Sequence, residues 1–175
     1  KNEDQTNKAV LKWKETEFEV EKNLGKRTAG VTKTGTVVVD DAGNKTINWV
    51  VKFNSNKNVL YDFKLTDTFT PGTMAMVGPP TLHKDGTSDA LSSDAEYTYT
   101  EPTNNSGDFT INIPKLDPVE YTLRYTTTLS PEDERGTINS TNEYIVNKAE
   151  IEYIGNTENT SAKILKPKLG ITKAG

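Results

Sequence analysis

Short runs in which apolar and polar residues alternate are the feature that most constrains how this chain can fold. In residues 46–54, for example, Ile47, Trp49, Val51 and Phe53 occupy every second position. Successive side chains of a β-strand point to opposite faces, so this pattern predicts strands with one buried face. Such runs predict strands near residues 31–39, 46–54, 58–69, 95–100, 108–113, 119–129 and 143–154, with a weaker strand near 161–166.

Turn-forming sequences separate these runs. The segment DDAGNK at residues 40–45 predicts a hairpin, and FNSNKN at 53–58 predicts a second turn. Seven or eight strands without a convincing helix predict an all-β, Ig-like β-sandwich. Residues 70–94 are less regular and are expected to form a long loop or a short helical turn.

Composition excludes several classes of function. The chain of 175 residues has a formal charge of −4, which offers no basic surface for nucleic acid or anionic lipid. It has no cysteine, so disulfides and thiol chemistry are excluded. The single histidine, His83, has no ligand companions in the sequence and is expected in a loop, so no metal or cofactor is predicted. No stretch is apolar enough to span a membrane and no signal peptide begins at residue 1, so we expect a piece of a larger protein.

The sequence also contains an internal repeat. NKA occurs at residues 7–9 and again at 147–149, and GVTKTG at 30–35 matches GITKAG at 170–175, with the same offset between the copies in both cases. Two matches with one offset predict a tandem array of units of that length. Residues 1–29 are then the tail strand and linker of a preceding repeat, 30–169 a complete Ig-like domain, and 170–175 the start of the next repeat.

Three polar residues interrupt otherwise apolar strand faces. Lys33 alternates with Val31 and Val37, and Asp67 falls on the face predicted for Tyr61, Phe63, Leu65 and Phe69. Asn147 alternates with Ile145, Ala149, Ile151 and Tyr153. A buried lysine and a buried aspartate normally require each other, because an isolated buried charge costs several kcal/mol.

These three residue types together suggest a covalent reaction. Burial lowers the pKa of a lysine and raises that of an aspartate, which favours a neutral amine beside a protonated carboxyl. The amine could attack the Asn147 side-chain amide, with Asp67 moving protons, to give a Lys33–Asn147 isopeptide bond between the first strand and the last. From alternation alone two alternatives stay open, namely a buried hydrogen-bonded cluster and a shifted strand that turns its polar residue into water.

The strand sequences also resemble a known family. They are similar to the strands of CnaA-type domains of Gram-positive, cell-wall-anchored surface adhesins. The matching features are a Lys before a Gly in the first strand, the sequence INWVVKFN, the sequence LTDTF with its Asp, and the sequence NKA with its Asn. The similarity covers residues 30 to about 155. It implies a variant Ig fold of the DEv-IgG type and a spontaneous isopeptide bond, with Lys33 as amine, Asp67 as catalytic acid and Asn147 as electrophile. Asn7 and Lys173 would hold the same roles in the neighbouring repeats.

The resemblance leads to a functional prediction. We expect a stalk repeat of an adhesin on the outside of a bacterial cell wall, with the neighbouring repeats as partners. The crosslink would be a single autocatalytic turnover, so no enzyme is predicted; a glycosidase using Asp and Glu is a distant alternative. The principal alternative is an adhesin domain that binds collagen or another extracellular-matrix protein.

Residues 1–29 raise a separate question. The strand around NKAVLKW would have unpaired backbone groups without its own domain. We therefore expect it to pair with a sheet edge of this unit or of a neighbouring molecule.

Overall fold

The computed structural model describes residues 5–13, 16–24, 28–69, 74–102, 107–129 and 144–165. In these ranges the chain forms strands and turns and no helix. The strands are β1 (Gln5–Trp13), β2 (Thr16–Leu24), β3 (Val31–Val39), β4 (Lys45–Phe53), β5 (Leu60–Phe69), β6 (Met74–Met76), β7 (Thr81–Lys84), β8 (Thr98–Thr100), β9 (Phe109–Leu116), β10 (Tyr121–Leu129), β11 (Tyr144–Tyr153) and β12 (Asn156–Leu165).

Two antiparallel sheets enclose the core. The first sheet has the strand order β3-β4-β10-β6, with β7 also paired to β10, and the second has the order β12-β11-β5-β9-β8. Apolar side chains of both sheets are buried between them; Phe53 of β4, for example, stacks on Phe63 of β5 with ring centroids 4.7 Å apart. The predicted all-β sandwich is therefore present.

The hairpin predicted at residues 40–45 joins β3 to β4. Asp40 Oδ1 accepts hydrogen bonds from the backbone N–H groups of Ala42 and Asn44, and Gly43 has a φ of 85°. A short acceptor side chain at the start of a turn and a glycine with positive φ explain this segment without a bound cation.

Residues 74–94 differ from the expected loop or helical turn. They contain β6 and β7, both paired with β10. Strands of three and four residues are too short for alternation to reveal them. His83, expected in a loop, lies within β7 and pairs with Thr122.

The predicted face of β5 is wrong at its beginning. Leu60 is buried and Tyr61 is 50% exposed, whereas Phe63 and every second residue after it are buried. Asp62 has a φ of 51°, which interrupts the extended backbone and shifts the alternation by one residue.

Strand β12 is longer than the weak strand expected near 161–166. It pairs along its whole length with β11 only, at the edge of the second sheet. Of its side chains only Ala162 is buried, so its sequence is mostly polar and carries little alternation. Asn147 is consequently on the penultimate strand of the domain and not on the last one.

The first two strands pair with each other and not with an edge of the two larger sheets, which was one of the two expected pairings. Gln5 pairs with Leu24 and Trp13 with Thr16. At the equivalent positions of the sequence repeat, Ile145 pairs with Ile164 and Tyr153 with Asn156. The β1–β2 hairpin therefore repeats the register of the β11–β12 hairpin.

Candidate functional site

The interior of the sandwich brings the three predicted site residues together. Lys33 projects inward from β3 of the first sheet, and Asp67 and Asn147 project inward from β5 and β11 of the second. The side chains of Lys33 and Asp67 are fully buried, as is Asn147. Because β11 pairs with β5, Asp67 lies opposite Ala149 and Asn147 lies opposite Phe69, so the two polar residues are close neighbours on one face.

A hydrogen-bonded network connects the cluster. Lys33 Nζ donates to Asp67 Oδ2 in a short, direct ion-pair contact. The same nitrogen donates to the Tyr125 hydroxyl at 2.8 Å and approaches the Lys148 carbonyl oxygen at 3.3 Å. Asn147 Nδ2 donates to the Tyr125 hydroxyl at 2.7 Å. The amine and the amide nitrogen therefore share one phenolic oxygen.

Two buried acceptor atoms in the cluster have no hydrogen-bond partner among the described residues. They are Asp67 Oδ1 and Asn147 Oδ1. An unpaired buried acceptor costs about 1–3 kcal/mol, more when it is charged. Because Asp67 and Asn147 are close neighbours on one sheet face, a proton on Oδ1 of Asp67 could satisfy both atoms at once.

Burial moves both ionisable groups toward their neutral forms. Desolvation lowers the pKa of Lys33 from 10.5 to about 8, although the charge and hydrogen bond of Asp67 oppose the change. Desolvation raises the pKa of Asp67, against the opposing effects of Lys33, Tyr125 and Asn147. One proton moved from Nζ to the carboxylate converts the ion pair into a neutral amine beside a carboxylic acid.

Aromatic rings form the apolar surroundings of the amine. Lys33 Nζ lies 5.4 Å from the ring centroids of both Trp49 and Tyr125. Phe109 packs edge-on against Tyr125 with centroids 5.0 Å apart. These rings exclude water from the cluster, which strengthens electrostatic interactions inside it.

Sequence reasoning missed Tyr125. It alternates with Tyr121 and Leu123 on β10 and therefore has the pattern of an ordinary core residue. Burial, together with the negative charge of Asp67, raises the pKa of its hydroxyl well above the usual value, which keeps it protonated. The available signal was chemical, since a buried tyrosine hydroxyl needs a polar partner. Thr127, the other polar residue on this face, accepts a hydrogen bond from Trp49 Nε1 at 2.9 Å.

Of the two equivalent residues in neighbouring repeats, Asn7 lies in β1, where side chains are not described, and Lys173 lies outside the described residues. Within the described ranges, His, Asp and Glu side chains do not converge in a group that could hold a metal ion. The same part of the chain contains no helix long and apolar enough to cross a membrane.

The fold is similar to several solved collagen adhesins. The collagen adhesin of Staphylococcus aureus matches with a TM-score of 0.55 and 14% identity, over 86% of this chain and 55% of that one. The collagen-binding subdomain of the Enterococcus faecalis surface protein ACE matches with a TM-score of 0.53 and 16% identity, over 79% of this chain and 100% of that one. This chain thus spans about half of the first protein's length and all of the second's. At such identities the likeness establishes the fold, which is the predicted Ig-like sandwich.

Sequence comparison assigns the family. A search of curated protein sequences gives no match. The model of the collagen binding domain, however, matches residues 28–157, which is most of the chain. The predicted resemblance to CnaA-type domains is thereby confirmed, and the chain belongs to the collagen-binding-domain family.

Proposed function

We propose that residues 30–165 form a self-crosslinking domain in which Lys33 and Asn147 become joined by an isopeptide bond. The observation that carries this proposal is the pair of unpaired buried acceptors, Asp67 Oδ1 and Asn147 Oδ1, beside an amine in contact with Asp67. A purely structural cluster would be expected to pair such atoms. Protonation of Asp67, the state that the reaction requires, would pair both atoms.

The first step is a proton transfer within the pair. Lys33 Nζ gives one proton to the Asp67 carboxylate, which leaves a neutral amine with a free electron pair. The lowered pKa of Lys33 and the raised pKa of Asp67 both reduce the cost of this transfer. The protonated carboxyl then donates a hydrogen bond to Asn147 Oδ1 and polarises the amide carbon.

The second step forms the new bond. The Nζ electron pair attacks Asn147 Cγ, and the negative charge that develops on Oδ1 is stabilised by the Asp67 proton. A second Nζ proton passes to Nδ2 through Asp67, the Cγ–Nδ2 bond breaks, and ammonia leaves. The product is a secondary amide between Nζ and Cγ, with Asp67 protonated. Atoms and charge balance without a cofactor, and the single turnover means that the domain is no enzyme.

Tyr125 holds the two reacting nitrogens. Its hydroxyl oxygen accepts hydrogen bonds from Lys33 Nζ and from Asn147 Nδ2, at 2.8 and 2.7 Å. The shared oxygen fixes the amide plane relative to the amine before attack. Orientation of this kind lowers the barrier because the reacting groups do not have to find each other.

The crosslinked domain is suited to serve as a stalk repeat. The internal sequence repeat, and the equal register of the β1–β2 and β11–β12 hairpins, support a tandem array whose neighbouring units are its partners. The array would extend from a Gram-positive cell wall and resist force and proteolysis. Without cysteine, the isopeptide bond takes the part that disulfides play in other secreted domains.

Peptide mapping tests the crosslink at the level of residues. We expect digestion of the denatured protein to release a branched peptide that contains Lys33 and Asn147 and has lost one ammonia. Separate linear peptides with an unmodified Lys33 and Asn147 would contradict the proposal.

A second candidate function is binding of an extracellular-matrix protein, favoured by the family match at residues 28–157. The solved relatives named above are collagen adhesins. A groove of about 500 Å³ on the second sheet, lined by Lys64, Glu96 and Glu152 among others, would be available to a ligand. Binding of collagen to one unit and to a tandem pair distinguishes the two functions. A stalk repeat should bind in neither form, and saturable binding that Lys64→Ala weakens would favour the alternative.

A further inference from the structure

The proposed crosslink leaves the C-terminal strand β12 and most of β11 outside the covalently closed loop. A bond from Lys33 to Asn147 encloses β4 to β10, but residues 148–165, which include most of β11 and all of β12, follow the bond. Strand β12 has one backbone partner, β11. Tension applied through the chain would therefore reach β12 without covalent protection.

A clamp joins this exposed strand to the point where the chain enters the domain. The Glu158 carboxylate of β12 accepts hydrogen bonds from the backbone N–H groups of Ala29 and Gly30, at 2.6 and 3.0 Å. The Tyr153 hydroxyl accepts a second bond from the Ala29 N–H at 3.1 Å and donates to Glu158. Hydrogen bonds to a carboxylate are about twice as strong as neutral ones.

The entering segment is also held from its other side. Asn56 and Asn58 donate side-chain hydrogen bonds to the Thr28 carbonyl oxygen, at 3.1 and 2.9 Å. Ala29 is completely buried. Gly30 has a φ of 74°, and a Cβ at this position would lie 2.2 Å from Ser55 Oγ. The clamp thus requires a glycine and holds the main chain on both sides.

The two clamped strands run in the same direction. Gly30 meets Glu158 at one end, and further along β3 a Cβ on Gly35 would lie 2.6 Å from Ile164, near the end of β12. The chain enters next to the start of β12 and leaves at the end of β12, beyond Leu165. Pulling the chain apart therefore slides β12 along β3 and loads the Glu158 contacts directly.

We propose that residues 148–165, which comprise β12 and the part of β11 that follows the crosslink, form a force-releasable segment, held closed by the bonds from Glu158 to Ala29 and Gly30, which extends while the crosslinked remainder of the domain stays folded. This inference rests on the proposed Lys33–Asn147 bond. Release of residues 148–165 would lengthen the domain by about 50 Å, given about 3.4 Å per extended residue and the short distance from Asn147 to Leu165 in the sheet. Each repeat could absorb a load and then close again.

Single-molecule force spectroscopy on the full chain tests this. The chain has no cysteine, so Lys26→Cys and Lys166→Cys provide unique attachment points that leave β1 and β2 outside the loaded segment. We expect a reversible step of about 50 Å and no further unfolding. Absence of this step in protein whose mass shows the crosslink would overturn the inference.

A matched pair of variants tests the clamp. Glu158→Ala should lower the force at which this step occurs, whereas Glu150→Ala, an exposed glutamate on β11, should leave it unchanged. Equal forces in the two variants would contradict the role of Glu158. Failure of the crosslink itself gives a different result, a single extension of more than about 400 Å, because the whole domain would then unfold.

Amide hydrogen exchange gives a second test without force. In the crosslinked protein, β12 should exchange before β5, and Glu158→Ala should accelerate exchange in β12 about tenfold or more. Equal protection of β12 and β5 would contradict the inference.

Discussion

Asn54 and Asn147 are both completely buried, but their hydrogen bonds differ. Asn54 Nδ2 donates to the carbonyl oxygens of Asn58, Asp117 and Val119 at 2.8–3.0 Å, and its Oδ1 accepts a hydrogen bond from the Asn58 N–H. Asn147 Nδ2 has the Tyr125 hydroxyl, but its Oδ1 has no partner in the described part of the chain.

This difference in hydrogen bonding indicates a structural role for Asn54 and a reactive role for Asn147. Asn54 pairs both its amide nitrogen and its Oδ1 with the backbone of neighbouring turns, so it fixes their conformation. Asn147 keeps its carbonyl oxygen free next to a carboxyl of raised pKa. Burial is equal at the two sites, so the unpaired oxygen, rather than burial, marks the amide that can react.

Asn147→Ala is expected to lower the free energy of unfolding the most. This change removes the electrophile and keeps the Lys33–Asp67 pair. A covalent link that closes a loop of about 100 residues stabilises by about 5 kcal/mol. We expect the free energy of unfolding to fall by that amount, measured by denaturant titration, and the loss of ammonia to disappear. An unchanged stability would mean that no bond had been present.

Asn54→Ala tests whether the structural asparagine affects stability without affecting the crosslink. It removes the side-chain partner of three carbonyl oxygens and one N–H, although the Asp117 oxygen keeps a hydrogen bond from the Val119 N–H, so the unfolding free energy should fall by about 2–4 kcal/mol. The mass of the folded protein should still show the loss of one ammonia. If this variant also failed to crosslink, the distinction between the two asparagines would be lost.

Tyr125→Phe tests how the reactive amide is positioned. The ring and its packing remain, but both nitrogens lose their shared acceptor. We expect the crosslink to form about 10–100-fold more slowly, measured by the intact mass at intervals after cell-free synthesis of the chain. Thr127→Val, on the same strand face, is the control and should leave the rate unchanged. A Tyr125→Phe rate equal to the wild type would remove Tyr125 from the mechanism.

The last test is the pH dependence of the free energy of unfolding of the Asn147→Ala variant. Lys33 has a pKa of about 8 in the folded protein, below its usual value of 10.5. At a pH between these two values, Lys33 is therefore protonated more often in the unfolded chain than in the folded one. Stability then rises as the pH rises from about 8 to 10.5. Denaturant titrations at these two pH values measure the trend, with Lys33→Met in the same background as the control that should not show it.

Alternation predicted the sandwich and favoured inward positions for Lys33, Asp67 and Asn147, because strands with one buried face repeat every two residues. It failed where another constraint was stronger. The positive φ of Asp62 places Tyr61 on the face opposite to the predicted one. Strands β6 and β7 are too short to show alternation, and β12 shows little because it is a largely exposed edge strand. Tyr125 was missed because a tyrosine in a core pattern gives no sign of which polar atoms its hydroxyl meets.

The intact mass of the purified protein shows whether Lys33 and Asn147 are joined by an isopeptide bond. We predict a mass lower than that of the sequence by one ammonia, with the full mass restored in Lys33→Ala and in Asp67→Ala. A wild-type protein with the unmodified mass would contradict the presence of this bond.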